Sequence, residues 1–128
     1  MARITVRKLS PVHADQRGEI YDILESSVQH VGFITFTKGA VRANHYHKKS
    51  TQYSYVLSGL IELLTRDLDG TAVSRTLMRP GDFAEIPPLI IHAYRALEDS
   101  AILDMTTESR QGTGYEDDTV RVFITDPQ

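Results

Sequence analysis

A chain of 128 residues with 41% hydrophobic and 24% charged residues has the size and balance of one globular domain with a single core, and is not a disordered or fibrous polymer. Its formal charge of -3, with no basic stripe, argues against nucleic acid as a partner, and the lack of cysteine excludes disulfides, thiolate zinc sites and cysteine nucleophiles together. No apolar run approaches the roughly 20 residues of a membrane span, and residues 1–6 enter structure without a signal-peptide core, so the expected address is the cytoplasm with no membrane partner.

In chain order the pattern is β almost throughout. Ile4, Val6 and Leu9 predict a first strand, and Asp15-Gln16-Arg17-Gly18 predicts a turn before Ile20, Ile23 and Leu24. Residues 31–37 are rich in the aromatic and β-branched side chains that a half-buried strand favours. Strands at 41–47 and 52–58 are joined by a polar connection whose Lys48 and Lys49 read as a hairpin tip, not a phosphate clamp. Residues 60–66 lead to Asp69-Gly70, a strong hairpin signal, and 73–78 return before the turn Arg79-Pro80-Gly81-Asp82. Short strands follow at 83–87, 90–96 and 102–106; residues 108–119 read as a polar loop, and a last strand is expected at 120–124. No segment shows a sustained helical period, and many short strands between regular turns indicate an antiparallel sandwich or barrel.

The chemistry concentrates in a few positions. His45 and His47 share one face of their strand, roughly 6.5–7 Å apart along the chain. Two imidazoles so held, joined by a third from another strand, suit either a metal ion or direct acid–base work. Gln52 begins the next strand and offers a neutral carbonyl oxygen together with an NH2 donor. His92 follows the rigid pair Pro87-Pro88, which delivers it to the same mouth as a third ligand or a substrate contact. Arg42 is a candidate fork for phosphate or carboxylate, but strict alternation puts it opposite His45 unless a bulge falls near Ala43-Asn44. Arg17 either closes over the site as a substrate contact or stabilises its own turn. Tyr53 and Tyr55 alternate away from Gln52 and read as packing or dimer contacts, with the Tyr55 hydroxyl kept as a candidate substrate contact. His13 and His30 lie in polar surroundings and read as surface residues.

The spacing Gly39, five residues, His45-x-His47, four residues, Gln52, six residues, Gly59 resembles the first motif of the cupin superfamily, with Gln where that motif has Glu. Gly81, five residues, Pro87-x-Leu89, two residues, His92, three residues, Ala96 resembles the second, without its inner Gly and final Asn. The resemblance implies an all-β, single-domain jelly roll, a double-stranded β-helix, over residues 1–128. A narrower resemblance is carried by Asp15-Gln16-Arg17-Gly18, by Arg42 ahead of His45, by His45-x-His47-Lys48-Lys49-x-x-Gln52 and by Ile86-Pro87-Pro88-Leu89-Ile90-Ile91-His92. It is to sugar-nucleotide 3,4-ketoisomerases, which act on dTDP-linked 4-keto-6-deoxy sugars; 3,5-epimerases of the rhamnose pathway share the first two elements. It implies that His45 and His47 transfer protons without a metal; Arg42, Gln52, His92, Arg17 and Tyr55 are the candidate contacts to a sugar-like small molecule.

The expected function is isomerisation or epimerisation of a keto sugar, free or nucleotide-linked, in a homodimer whose pairing covers exposed sheet edges. Two rivals stay open. One is a metal-dependent oxygenase or lyase in which His45, His47, Gln52 and His92 ligate Zn, Ni, Fe, Mn or Cu. The other is a non-enzymatic module that binds a small ligand in the same cavity.

Overall fold

The computed structural model describes residues 3–125, so Met1 and Ala2 of the expected N-terminal segment lie outside the described residues. In chain order the elements are β1 (Thr5–Lys8), β2 (His13–Asp15), β3 (Gly18–Ile20), β4 (His30–Phe36), β5 (Val41–His47), β6 (Gln52–Ser58), β7 (Ile61–Asp67), β8 (Ser74–Met78), β9 (Asp82–Ile86), β10 (Ile90–Ala96), β11 (Ser100–Thr106), α1 (Gly114–Asp118) and β12 (Thr119–Arg121). The strands form two five-stranded antiparallel sheets, ordered β1-β9-β6-β11-β4 and β12-β5-β10-β7-β8, with β2 and β3 as a separate hairpin. This is the expected single-domain jelly roll.

Alternation sends one set of side chains from each strand between the sheets. Phe36, Val56, Ile86 and Ile102 from the first sheet meet Ile61, Leu63, Met78, Ile90 and Tyr94 from the second, and this packed interior carries the hydrophobic stabilisation. Along the same inward faces the composition then changes sign. His45 and His47 on β5, Gln52 and Ser54 on β6, His92 on β10, and Asp104 and Thr106 on β11 are all buried. One end of the barrel is therefore an apolar core, and the other is a polar site built on rigid strands.

A second apolar cluster lies on the outer face of the first sheet. Leu9, Tyr53, Phe83 and Met105 pack there with Ile23, Leu24, Val28, Tyr55 and Leu103, so residues 23–28, which have no regular structure, act as a cover. This places Tyr55 outside the barrel and corrects its reading as a substrate contact. Its neighbours Ser54 and Val56 take the inward positions, and a strand's period of two leaves Tyr55 the opposite face.

Two elements differ from expectation. Residues 114–118 form a one-turn helix inside the segment read as a loop, because five residues are too few to display a helical period. The last strand is β12, at Thr119–Arg121, paired antiparallel with β5; beyond it the chain is tied instead by Asn44, whose Oδ1 accepts from the Ile124 amide at 2.9 Å.

Gly59, at the end of β6, has φ +89°, and a Cβ there would run into Ser100 Oγ and the Asp99 carbonyl oxygen, with Ser100 Cα only 2.7 Å away. Gly59→Ala combines a left-handed backbone cost with overpacking against main chain, so the expected loss is about 2–5 kcal/mol by denaturant unfolding. A loss below about 1 kcal/mol would mean that the 97–100 loop yields freely.

Candidate active site and metal centre

The site begins with a fault in β5. His92 pairs with His45 but Ala93 pairs with Ala43, so Asn44 is an extra residue opposite β10, and Ala43 and Asn44 have φ of +73° and +59°. Asn tolerates this backbone and its side chain is fully used, with Nδ2 donating to Thr125 Oγ1 at 3.0 Å. The bulge shifts the phase of the strand. Arg42 becomes the partner of Tyr94, an inward residue, and its guanidinium lies 5.3 Å from the Phe36 ring centroid while donating to the Thr35 carbonyl. The bulge that Arg42 required is present, and Arg42 lines the mouth.

Register brings the three imidazoles together. The His45 ring centroid is 4.8 Å from that of His47 and 4.7 Å from that of His92. One ring nitrogen from each lies within 4.8 Å of the other two. Gln52 Oε1 completes the group, 2.9 Å from His47 Nε2 and 3.1 Å from His92 Nε2. The turn before β10 is held to the site strand by the Leu89 amide donating to the His47 carbonyl, with Leu89 at φ +71° where the motif carries Gly.

The protons can be placed from the partners. His92 Nδ1 faces the Ile90 carbonyl at 3.1 Å, an acceptor only, so Nδ1 carries the hydrogen and Nε2 a lone pair. His47 Nδ1 faces Thr119 Oγ1 at 3.3 Å and the Asp118 carboxylate at 3.7 Å, and that hydroxyl gives its own hydrogen to the Tyr115 carbonyl. His47 Nε2 therefore also turns a lone pair inward. His45 Nε2 is buried without a partner among the described residues, and Nδ1 lies 3.4 Å from the Tyr115 hydroxyl. Two nitrogen lone pairs and one carbonyl oxygen thus converge with no hydrogen among them, and His45 adds a third lone pair when its Nδ1 gives its hydrogen to the Tyr115 hydroxyl. A proton is a poor remedy: burial, then the neighbouring rings, holds His45 down to about 2, and burial with His47 holds His92 down to about 3. Burial also lowers His47, against the opposing pull of the Gln52 carbonyl oxygen and Asp118, both of which favour a proton on the ring. A bound divalent ion fits this donor set, because ligating imidazoles characteristically give their other N–H to a carbonyl, hydroxyl or carboxylate.

Around the four donors lies a group that the sequence did not disclose. Asp104 has no exposed surface and accepts from Gln52 Nε2 at 2.6 Å and from Arg110 at 3.1 Å; burial, against Arg110, raises its carboxyl to about 6. The Tyr94 hydroxyl is tied to Ser54 at 2.6 Å and to Gln52 at 3.2 Å, and burial pushes it upward. Arg110 and Tyr115 come from the 107–118 segment, the guanidinium 4.9 Å from the Tyr115 ring centroid, and fold that segment over the mouth. Together with Arg42, His45, Gln52 and Tyr94 they line a cavity of about 200 Å³. Asp104 had a signal, a charge alternating with Ile102 and Thr106 on a strand. Arg110 and Tyr115 had none, since a polar loop has no period.

The other candidates fall outside. Arg17 is exposed in the β2–β3 hairpin, where its guanidinium holds Asp15 at 2.6 Å, so it stabilises its turn and does not line the cavity. That corrects its reading as a substrate contact: the local carboxylate two residues away captures it. His13 is exposed on Asp15, and His30 is half-buried beside Gly32. His47 is in the cluster but does not line the cavity, because both ring nitrogens face inward partners.

Known proteins share this geometry at the level of the fold. A family model described as a cupin domain matches residues 32–106. A comparison with curated protein sequences returned no match. Among solved structures, the sugar 3,4-ketoisomerase QdtA from Thermoanaerobacterium thermosaccharolyticum in complex with TDP is similar with a TM-score of 0.77 at 21% identity, covering 94% of this chain and 88% of that one. The dTDP-4-dehydrorhamnose 3,5-epimerase from Sulfolobus tokodaii gives 0.76 at 20% identity, over 94% and 77% of the two chains. The rmlC epimerase of Mycobacterium tuberculosis gives 0.78 at 16% identity, over 96% and 70%. At these identities the likeness is one of fold. The domain match over the two sheets that carry His45, His47, Gln52 and His92 shows that this chain belongs to the cupin family.

Proposed function

We propose that this chain isomerises or epimerises a keto sugar at the barrel mouth, and that His45, His47, His92 and Gln52 hold a divalent transition-metal ion there. The observation that carries the reading is the convergence of three imidazoles and the Gln52 carbonyl oxygen in one buried cluster, two of whose members, His45 and Gln52, line a cavity of about 200 Å³. When bound, the ion supplies Lewis-acid stabilisation to an enediol-type oxyanion. The protein's own groups do the rest. Of the two phenols on the cavity wall, Tyr94 is bound to Ser54 and Gln52, which leaves the Tyr115 hydroxyl beside His45 as the proton carrier. Arg42, on the exposed side of the mouth, takes an anionic group of the substrate. The cavity suits a monosaccharide ring, so a nucleotide, if attached, extends outward. The similarity to nucleotide-sugar isomerases and epimerases supports this substrate class.

Protein prepared without added metal should carry near-stoichiometric transition metal, and chelation should remove it together with activity. In deuterated water a 4-keto sugar nucleotide should gain deuterium next to its carbonyl. Tyr115→Phe should slow that exchange about 10²–10⁴-fold while leaving the metal content alone. No exchange across a panel of keto sugars would sink the reading.

A metal-free reading is favoured by one observation: among the three rings, His45 alone has a nitrogen without a partner among the described residues, and Tyr115 stands beside it. There His45 is the base and Tyr115 the acid, and His47, occupied at both nitrogens, positions Gln52. Activity that survives complete chelation selects this arrangement. A homodimer belongs to either proposal, since Val31 and Phe33 are exposed on edge strand β4; sedimentation velocity reads it directly.

A further inference from the structure

We infer that Asp104 is the positioning residue of the ion site: by accepting from the Gln52 amide it turns the Gln52 carbonyl onto the imidazoles, and it supplies, from the far side of Gln52, the negative charge that a glutamate at position 52 would bring directly. The inference rests on the ion reading above.

A glutamine amide is nearly symmetric in shape, so nothing steric fixes which end faces the rings. The two orientations make different sites. With Oε1 inward, four electron-pair donors meet and a cation is required to satisfy them. With Nε2 inward, the two amide hydrogens satisfy His47 and His92 directly, and the cluster closes on itself as a polar plug. The choice is therefore made on the far side of Gln52. Asp104 is there, with no exposed surface, Oδ1 2.6 Å from Gln52 Nε2 and Oδ2 3.1 Å from Arg110. A carboxylate only accepts, so an inward NH2 would set Oε1 against Oδ1 in a site that excludes water. Strand register makes the arrangement rigid: Asp104 pairs with Ser54, and Gln52 with Thr106, on adjacent strands of one sheet. Arg110 completes the pairing from the covering segment, so the segment that closes the mouth also anchors the residue that orients the ligand.

Charge follows the same path. Three neutral imidazoles and a neutral amide leave the full charge of an ion in place. Asp104 polarises the amide through its hydrogens and makes Oε1 a stronger donor.

The test titrates the metal-free protein with Co²⁺ and reads the visible ligand-field bands and a competition affinity. The wild type should bind one equivalent. Asp104→Asn should remain folded by circular dichroism, since asparagine keeps the volume and lets Gln52 turn over, but should bind Co²⁺ about 10–100-fold more weakly. The double variant Gln52→Glu, Asp104→Asn reverses the polarity of the contact, with the introduced asparagine amide donating to a carboxylate ligand, and should recover the affinity. Gln52→Glu alone sets two carboxylates against each other and should bind less tightly than the double variant. If Asp104→Asn binds as tightly as wild type, Asp104 orients nothing and the ion reading stands without it. If Asp104→Asn fails to fold, the comparison of the double variant with Gln52→Glu decides, and equal affinities overturn the inference. A wild type that takes up neither Co²⁺ nor Zn²⁺ removes the ion reading and this inference together.

Discussion

Unfolding of the metal-free chain should show a stability plateau above about pH 6.5 and a progressive loss below it. His45 and His92 titrate near 6.5 when unfolded but at about 2 and about 3 in the folded barrel. A depressed folded pKa contributes stability that is complete above the unfolded value and is lost as the pH falls toward the folded one, because only the unfolded chain takes up protons in that window. Each ring costs about 1.4 kcal/mol per pH unit, and His47 adds in the same direction. Asp104 opposes them: its raised pKa means that stability is lost as pH rises from 3.8 through about 6, so acidification returns some of it. Three rings outweigh one carboxylate, and the net loss between pH 7 and 4.5 is on the order of 4 kcal/mol, a large share of the 5–15 kcal/mol typical of a domain. Denaturant titration from pH 7.5 to 4.5 checks the sign. A second signature separates this site from an exposed histidine cluster. Its rings are already neutral in the folded state, so in Asp104→Asn, which removes the carboxyl that burial raises to about 6, the remaining ion affinity should stay flat until the fold itself fails. In that variant an affinity that declines with a midpoint near 6.5 would show that the rings are not buried as described.

His92→Leu should separate stability from function more sharply than any other change. The ring is 1% exposed, and leucine replaces it with similar volume and no polar atom. At pH 7 the variant loses the bond to the Ile90 carbonyl, a cost of about 0.5–1.5 kcal/mol. At pH 5 it should equal or exceed the wild type, because one buried imidazole no longer resists protonation. The proposed ion uptake and isomerase activity should both be absent, since one of four converging donors is gone and the surroundings of His45 change. Stability gained where activity is lost is the usual mark of a site built against the interests of the fold. A His92→Leu protein that unfolds at neutral pH, or keeps its metal, would make the ring a packing element and dissolve the site.

How much of this was legible can be judged residue by residue. The β pattern and the pairing of His45 with His47 follow from a period of two, a local property any strand displays. Gln52 and His92 were legible through motif spacing. The fate of Arg42 turned on one extra residue, Asn44, that alternation cannot count. For Arg17 and Tyr55 the structure agrees with the plainer of two readings, a turn contact and a packing residue. Arg17 was captured by Asp15 two residues away, and Tyr55 obeyed the alternation that had already pointed it outward.

The sequence by itself determined the class of fold, the four residues His45, His47, Gln52 and His92 that the barrel brings together, and the exclusion of cysteine chemistry, because composition, spacing and alternation are properties of neighbouring positions. Only the tertiary structure decided which ring nitrogen faces inward, which end of the Gln52 amide meets it, and that Asp104, Arg110 and Tyr115 belong to the site. Those depend on hydrogen bonds between strands distant in the chain and on a covering loop without a period, and such long-range partners leave no local trace.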